Sequence, residues 1–315
     1  MLRGRTWEHV TRGVYAPTGS LHGVRARATA FARVLPRDTG YGHVTRAALR
    51  GWWLPWLPAD LPLLATTRSN VHVQRPGLYV RRSSLATLIG GDVPLVSTPD
   101  ALVEASQDLA LIDLVALVDA ALHLGDCTAD ELTGVARQRR GGARRLRVAL
   151  TFSDPCAESR WESVLRLVHD LSGIAVDAQS PVRADDGILV ARADLRIRGT
   201  DRLVEYDGAT HRGARRHRRD LARDKALLRL GLERYGYCAP EIVGRPDRII
   251  RDAEQALGLP HDPRRLDRWR REFRASSPSE AGRAALRRRL ERFGRPGSAR
   301  HRSVRGDDWR NAAVG

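Results

Sequence analysis

The chain has 315 residues, 42% of them hydrophobic and 29% charged, with a formal charge of +17 at pH 7. That length accommodates two ordinary domains with separate cores, and no apolar run reaches the length that a bilayer crossing needs. MLRGRTWEHV carries no signal-like apolar stretch. Cys127, Cys156 and Cys238 are odd in number and lack a CxxC pair, so neither a zinc site nor a disulfide framework is expected, and a reducing cytoplasm is. Lys225 is the only lysine, and residues 261–315 hold 16 arginines against seven acids. A nucleic acid is therefore an expected partner, with a merely solubilising surface as the alternative.

In chain order, WEHVTRGVYAP alternates as a hairpin or wing does, GVRARATAFARVLP reads as a helix, and RPGLYVRRS as a strand. The stretch DALVEASQDLALIDLVALVDAALHLG reads as one long helical region. Leu109, Leu111, Leu114, Val115, Val118 and Ala121 stand at helical spacing, Gly125 is a stop, and Asp113 and Asp119 face water. These elements make a first domain over 1–136. RQRRGGARRLR, within 137–150, mixes glycine and arginine and reads as a basic linker that could also touch phosphate.

The richest signals lie in 151–260. Asp154-Pro155 is a suitable helix start, and ESRWESVLRLVHDLSG buries Trp161, Val164, Leu165, Val168 and Leu171 on one face. Strand-like IAVDAQSPVRA, ILVARADLRIR and RLVEYDG follow. A basic helix then runs from about Arg215 to Leu230 and stops at Gly231. A short strand, LERYGYC, and a helix, DRIIRDAEQALG, complete an α/β or α+β layer. Residues 261–315 read as a largely flexible basic tail with short helices such as AGRAALRRRLERFG.

ADLRIRGTDRLVEYDG supports a register argument. A two-residue Gly199-Thr200 turn of type II′ sets Arg198 opposite Asp201 and Asp194 opposite Glu205. Alternation then puts Asp207 on the face of Glu205, with Leu195, Ile197, Val204 and Tyr206 on the other. Two directly opposed carboxylates destabilise a sheet. Either a divalent cation such as Mg²⁺ lies between them, or one carboxyl has a raised pKa and holds a shared proton. Failing both, Arg192, Arg196 and Arg198 neutralise the acids in a surface network. His211, past the Gly208 bend, comes within reach of a substrate at such a site. Arg212, Arg215, Arg216, Arg218, Arg219, Arg223 and Lys225 offer a counter-face for a DNA backbone.

At these residues the chain resembles the very-short-patch-repair-like (Vsr-like) branch of the PD-(D/E)XK endonuclease superfamily. The resemblance is carried by a helix acid in ESVLRLVHDLSG, the Asp of ARADLRI, EYDGATH, and RRDLARDKALLRLG leading into the next strand, over about 152–240. It implies a restriction-endonuclease-like mixed sheet flanked by helices and Mg²⁺- or Mn²⁺-dependent hydrolysis of DNA phosphodiesters. Asp194 and Glu205 would match the motif acids and metal ligands, with Asp207 a third ligand and Glu162 the helix acid. The superfamily pattern often ends in lysine where Asp207 stands, so the part of that base would fall to His211 or Lys225. The first 150 residues resemble AbiEi-like antitoxin and regulator domains, through VTRGVYAPTG, the LRG step before GWW, and STPDALVEASQDLALIDLVALVDAAL. They imply a separate N-terminal α+β domain. A helix-turn-helix usually precedes the RGVY wing in that family, and only a few residues precede it here. The expected function is a metal-dependent DNA endonuclease. The alternative is a non-catalytic DNA-binding regulator or antitoxin-like protein that keeps the nuclease fold. A Ser-His-Asp hydrolase has no GxSxG elbow behind it.

Overall fold

A computed structural model of the chain describes residues 6–184, 186–208 and 223–294. They form two units: residues up to 153 together with those from 275, and residues 154–274. Both units mix helices with strands. Among the described residues no helix is long and apolar enough to cross a membrane, and the three cysteines are free.

Unit 1 opens with the expected hairpin, β1 (Trp7–Thr11) paired antiparallel with β2 (Val14–Pro17), and the expected helix α1 (Gly23–Ala32). Next come β3 (Thr39–Tyr41), α2 (His43–Arg50), β4 (Leu63–Thr67), β5 (Gln74–Arg75), β6 (Leu78–Arg82), β7 (Leu88–Ile89) and β8 (Leu95–Val96). The last six strands make one sheet in the order β5-β6-β4-β3-β8-β7. The long apolar region is not one helix. It divides into α3 (Thr98–Ala105), capped by Ser97, and α4 (Leu111–His123), because Ser106–Ala110 turns the chain between them. Asp113 and Asp119, expected in water, are buried. α4 is enclosed on all sides, as a helix with so little polar surface must be, and its acids are accommodated by polar partners inside. Asp113 accepts from the Ser277 N–H at 2.7 Å and the Ser277 hydroxyl at 2.6 Å.

Two further expectations are corrected here. The basic linker at 137–150 contains α6 (Ala143–Leu150), which follows α5 (Ala129–Ala136) and buries Ala143, Leu146 and Ala149. The periodicity of its small apolar residues outweighs its arginines, which stay on the wet side. In the basic tail the helix expected at AGRAALRRRLERFG is present, but it is packed and not part of a flexible segment. α12 (Glu280–Gly294) buries Leu286, Leu290 and Phe293, a spacing of four and three that makes one stripe. The Phe293 ring meets the Tyr79 ring edge-on at 4.8 Å, and Arg292 donates to Asp108 at 2.9 Å. Arginine dominates the composition of the segment, but three well-spaced apolar residues give it a buried face.

The entry to α12 is tight. A Cβ added to Gly282 would overlap the backbone carbonyl of Ser276, which no rotamer change relieves. Gly282→Ala is therefore expected to lower unit 1 stability by roughly 1–3 kcal/mol, as overpacking does. Chemical denaturation checks this; an unchanged midpoint would show that the turn can shift.

Unit 2 begins at α7 (Arg160–Leu171). The helix starts at Ser159, whose hydroxyl accepts from the Glu162 N–H at 3.3 Å, rather than at Asp154-Pro155. Strands β9 (Val176–Arg183), β10 (Leu189–Ile197), β11 (Arg202–Tyr206) and β12 (Glu233–Tyr237) form a sheet ordered β12-β11-β10-β9. The first three run antiparallel, and β12 is parallel to β11. A parallel neighbour requires a crossover, and residues 223–229 are the described part of the crossover helix, α8. α9 (Ala239–Gly244), α10 (Pro246–Ala256), a 3-10 turn (Pro263–Leu266) and α11 (Asp267–Ala275) follow. Arg202 ties this end together: it bonds Glu233, donates to the Asp252 carbonyl at 3.0 Å, and lies 3.8 Å over the Tyr235 ring.

Candidate functional site

The β10–β11 register is the one that sequence alternation requires, with Leu195 opposite Val204 and Arg196 opposite Leu203. The turn that sets it differs. Thr200 N–H donates to the Ile197 carbonyl at 3.2 Å and Gly199 has φ +80°, so glycine is the third residue of a turn starting at Ile197. The Thr200 hydroxyl also donates to that carbonyl, at 2.9 Å. The ladder ends at Leu195–Val204, and beyond it the Asp194 carboxylate accepts the Tyr206 N–H at 2.8 Å. Asp194 thus takes over a strand hydrogen bond where the two strands part.

Two elements deliver the remaining acids. β11 presents Glu205, which is buried, and Asp207 continues that edge, its N–H donating to the Tyr237 carbonyl at 2.9 Å. Gly236 of β12 leaves room for the Asp207 carboxylate, which any Cβ there would strike. The start of α7 presents Glu162. The Trp161 ring stacks on Tyr206 with centroids 6.1 Å apart, which locks the helix start onto the end of β11. Glu162 accepts from the Glu158 N–H at 2.8 Å and from the Gln179 side chain at 3.2 Å. The pairs Ala193–Ser180 and Leu195–Ala178 flank Gln179, which puts it across from Asp194. Its φ of +49° is a left-handed conformation that a strand residue holds only under constraint from its surroundings. Nothing local in the sequence marks Gln179; its place depends on the β9–β10 pairing.

The electrostatics of this patch decide what it can hold. Burial, aided by the charges of Glu162 and Glu205, pushes the Asp194 carboxyl up to about 7, against the pull of the Tyr206 N–H and Arg223. Glu205 is balanced differently. One oxygen is bonded by Arg223, the other by Arg234 Nε at 2.6 Å. Arg234 also reaches Asp207 at 3.1 Å and Asp224 at 3.5 Å. So the opposed acids are accommodated differently: burial raises the Asp194 pKa, which favours its neutral form, and guanidinium groups offset the charge of Glu205. The arginines expected for that part serve elsewhere: Arg192 bonds Glu158, Arg196 bonds Asp201, and Arg198 bonds Asp177.

The donor chemistry, carboxylate oxygens only, suits a hard divalent cation, but the arrangement does not. Both Glu205 oxygens are already taken, and among the described residues no group of three Asp, Glu, His or Cys side chains is arranged to hold a metal ion. The Mg²⁺ or Mn²⁺ site expected at Asp194, Glu205 and Asp207 is thus not formed by these contacts. Arg223 and Leu227, four apart on α8, face the sheet, Leu227 joining a cluster with Val182, Ala191, Ala193 and Leu203. Lys225, half a turn away from both, is exposed. His211, Arg212, Arg215, Arg216, Arg218 and Arg219 lie outside the described residues. No protein-family model, curated protein or solved structure matches the chain.

Proposed function

We propose that the chain is a DNA endonuclease of the Vsr-like PD-(D/E)XK kind, with unit 2 as its cutting domain and a divalent cation as its cofactor. One observation carries this reading: a helix, three antiparallel strands, a crossover helix and a parallel fourth strand bring Glu162, Asp194, Glu205 and Asp207 to one patch. Four acids gathered where a buried carboxyl is left close to half protonated at neutral pH cost stability, and a fold retains such a cost where chemistry uses it. Arg223 and Arg234 stand beside the acids as forked donors suited to phosphate. The restriction-endonuclease-like form of the sheet, the AbiEi-like character of unit 1 and the role of Arg212, Arg215, Arg216 and Arg219 as backbone contacts belong to the same proposal.

A second reading has its own observation. Acids already satisfied by guanidinium groups suit a domain that keeps the nuclease architecture and only binds DNA, as a regulator would. Supercoiled plasmid incubated with the full chain in Mg²⁺, Mn²⁺ or EDTA separates the two. The endonuclease reading expects nicking in either cation, none in EDTA, and a loss of roughly a hundredfold or more in Asp194→Asn and in Glu205→Gln. Uncut plasmid, with DNA binding that falls steeply with salt and ignores the cation, would select the regulator.

A further inference from the structure

Unit 1 carries an aromatic row on its β1–β2 hairpin. Residues directly opposite one another in an antiparallel pair share a face. Trp7 stands opposite Pro17 and His9 opposite Tyr15, and all four are exposed. The His9 and Tyr15 rings meet edge-on, their centroids 5.3 Å apart. The register slips between His9 and Thr11, which sets Thr11 opposite Val14 on the buried side. One face of the hairpin therefore holds three rings open to solvent. Beside them lies a recess of about 630 Å³, within the range of ordinary ligand sites. His9 belongs to both. Val34, Pro36, Val71 and Val73 give the recess apolar walls, and Arg12, His72 and Arg75 give it a basic rim. No acid lines it, and among the described residues neither Arg12 nor Arg75 is paired with one. Arg75 instead donates to the Arg12 carbonyl at 2.7 Å, which ties it to the hairpin turn. Thr11 also lines the recess. It is buried, and among the described residues its hydroxyl has no hydrogen-bond partner.

Each of these features asks for a different part of one ligand. Open rings and apolar walls take flat unsaturated faces. Two guanidinium groups without acids take an anion. A buried hydroxyl without a partner costs free energy until a polar edge reaches it. An unpaired nucleotide has a flat face, a polar edge and a phosphate. A base inside a duplex hides its faces in the stack, so only a single strand can use the row. We propose that the β1–β2 hairpin and the recess beside it bind single-stranded DNA. One base enters the recess, its neighbours stack on Trp7 and Tyr15, and the backbone phosphates lie against Arg12 and Arg75. Every base has a π-face, so the site tolerates any sequence. The choice of DNA over RNA rests on the endonuclease reading; the unpaired strand follows from unit 1 alone.

The test is the fluorescence anisotropy of three labelled probes titrated with the full chain in EDTA: an oligothymidylate, the same strand annealed to oligoadenylate, and an oligouridylate of equal length. Trp7→Ala and Tyr15→Ala, both at exposed positions, should each weaken oligothymidylate binding about tenfold, the size of one lost base stack. Duplex binding should stay as in wild type, because the basic surfaces elsewhere are untouched. Tyr15→Phe keeps the ring and should bind as wild type does. Arg12→Gln should make the salt dependence of single-strand binding shallower by about 0.7 in logarithmic slope, the mark of one lost phosphate contact. Oligothymidylate binding unchanged in both aromatic variants, or falling in step with duplex binding, would overturn the proposal. So would an oligouridylate held more tightly than the oligothymidylate. A chain that nicks plasmid while its aromatic variants bind as wild type loses this site and keeps the endonuclease reading. Selective loss of single-strand binding in a chain that never nicks keeps the site and removes the endonuclease.

Discussion

A chain ending at Ala275 is expected to lose the cooperative unfolding transition of unit 1 while keeping that of unit 2. α12 inserts Leu286, Leu290 and Phe293 into unit 1, and each of the three is nearly inaccessible to solvent. Removing any one of them costs roughly 2–5 kcal/mol, by lost transfer energy and by the void left behind. The deletion adds polar losses to this. Asp113 would be left in the interior without the Ser277 N–H and hydroxyl, and Asp108 without Arg292. A buried acid stripped of its donors costs about 1–3 kcal/mol or more. The sum rivals the whole stability of an ordinary domain, about 5–15 kcal/mol. Calorimetry of the full and shortened chains reads this directly, since two units give two transitions. Leu290→Ala is the milder version, with an expected loss of about 2–5 kcal/mol confined to the unit 1 transition. If the shortened chain kept both transitions at their original temperatures, α12 would be no part of the core.

Asp194→Asn is expected to stabilise unit 2, and only above mildly acid pH. In the native chain the Asp194 carboxyl sits at about 7 through burial and its acidic neighbours, whereas its ordinary value is 3.8. The folded state thus holds the proton more tightly than the unfolded state. Its penalty is absent below about pH 4, grows as pH rises towards 7, and is complete above that. Asparagine carries no such penalty and still offers an oxygen to the Tyr206 N–H. The difference at pH 8 should be on the order of 2–4 kcal/mol in favour of the variant. His169, held down to about 4 by burial, works in the opposite sense: its contribution is full above about 6.5 and is lost as pH falls towards 4. Because both proteins contain it, their difference isolates Asp194. Melting temperatures that run parallel from pH 4 to pH 8.5 would show that the acid cluster carries no strain. Under the endonuclease reading the same variant is inactive, so a gain in stability and a loss of cutting would come from one oxygen.

How much of this was legible beforehand depended on the range of each interaction. The β10–β11 pairing depended on strict alternation and a short connection, both local, and it came out in the expected register although the turn was of another kind. The strand LERYGYC was legible, but not that parallel pairing to β11 would place Arg234 beside Glu205 and Asp207; that neighbour is set by a crossover, and no spacing encodes it. Gln179 was missed for the same reason. Asp113 and Asp119 looked solvated because a helix pattern shows which residues are polar and not what polar groups a distant segment will bring to them.

The sequence by itself determined the order of helices and strands from α7 to β12 and the face on which the acids of β10 and β11 stand, since periods of 3.6 and 2 are properties of the backbone. Tertiary structure alone decided what balances those acids, which polar residues lie inside, and that a segment dense in arginine ends as part of a core. Those outcomes turn on burial and on partners far along the chain, and a charge has no fixed energy until its surroundings are known.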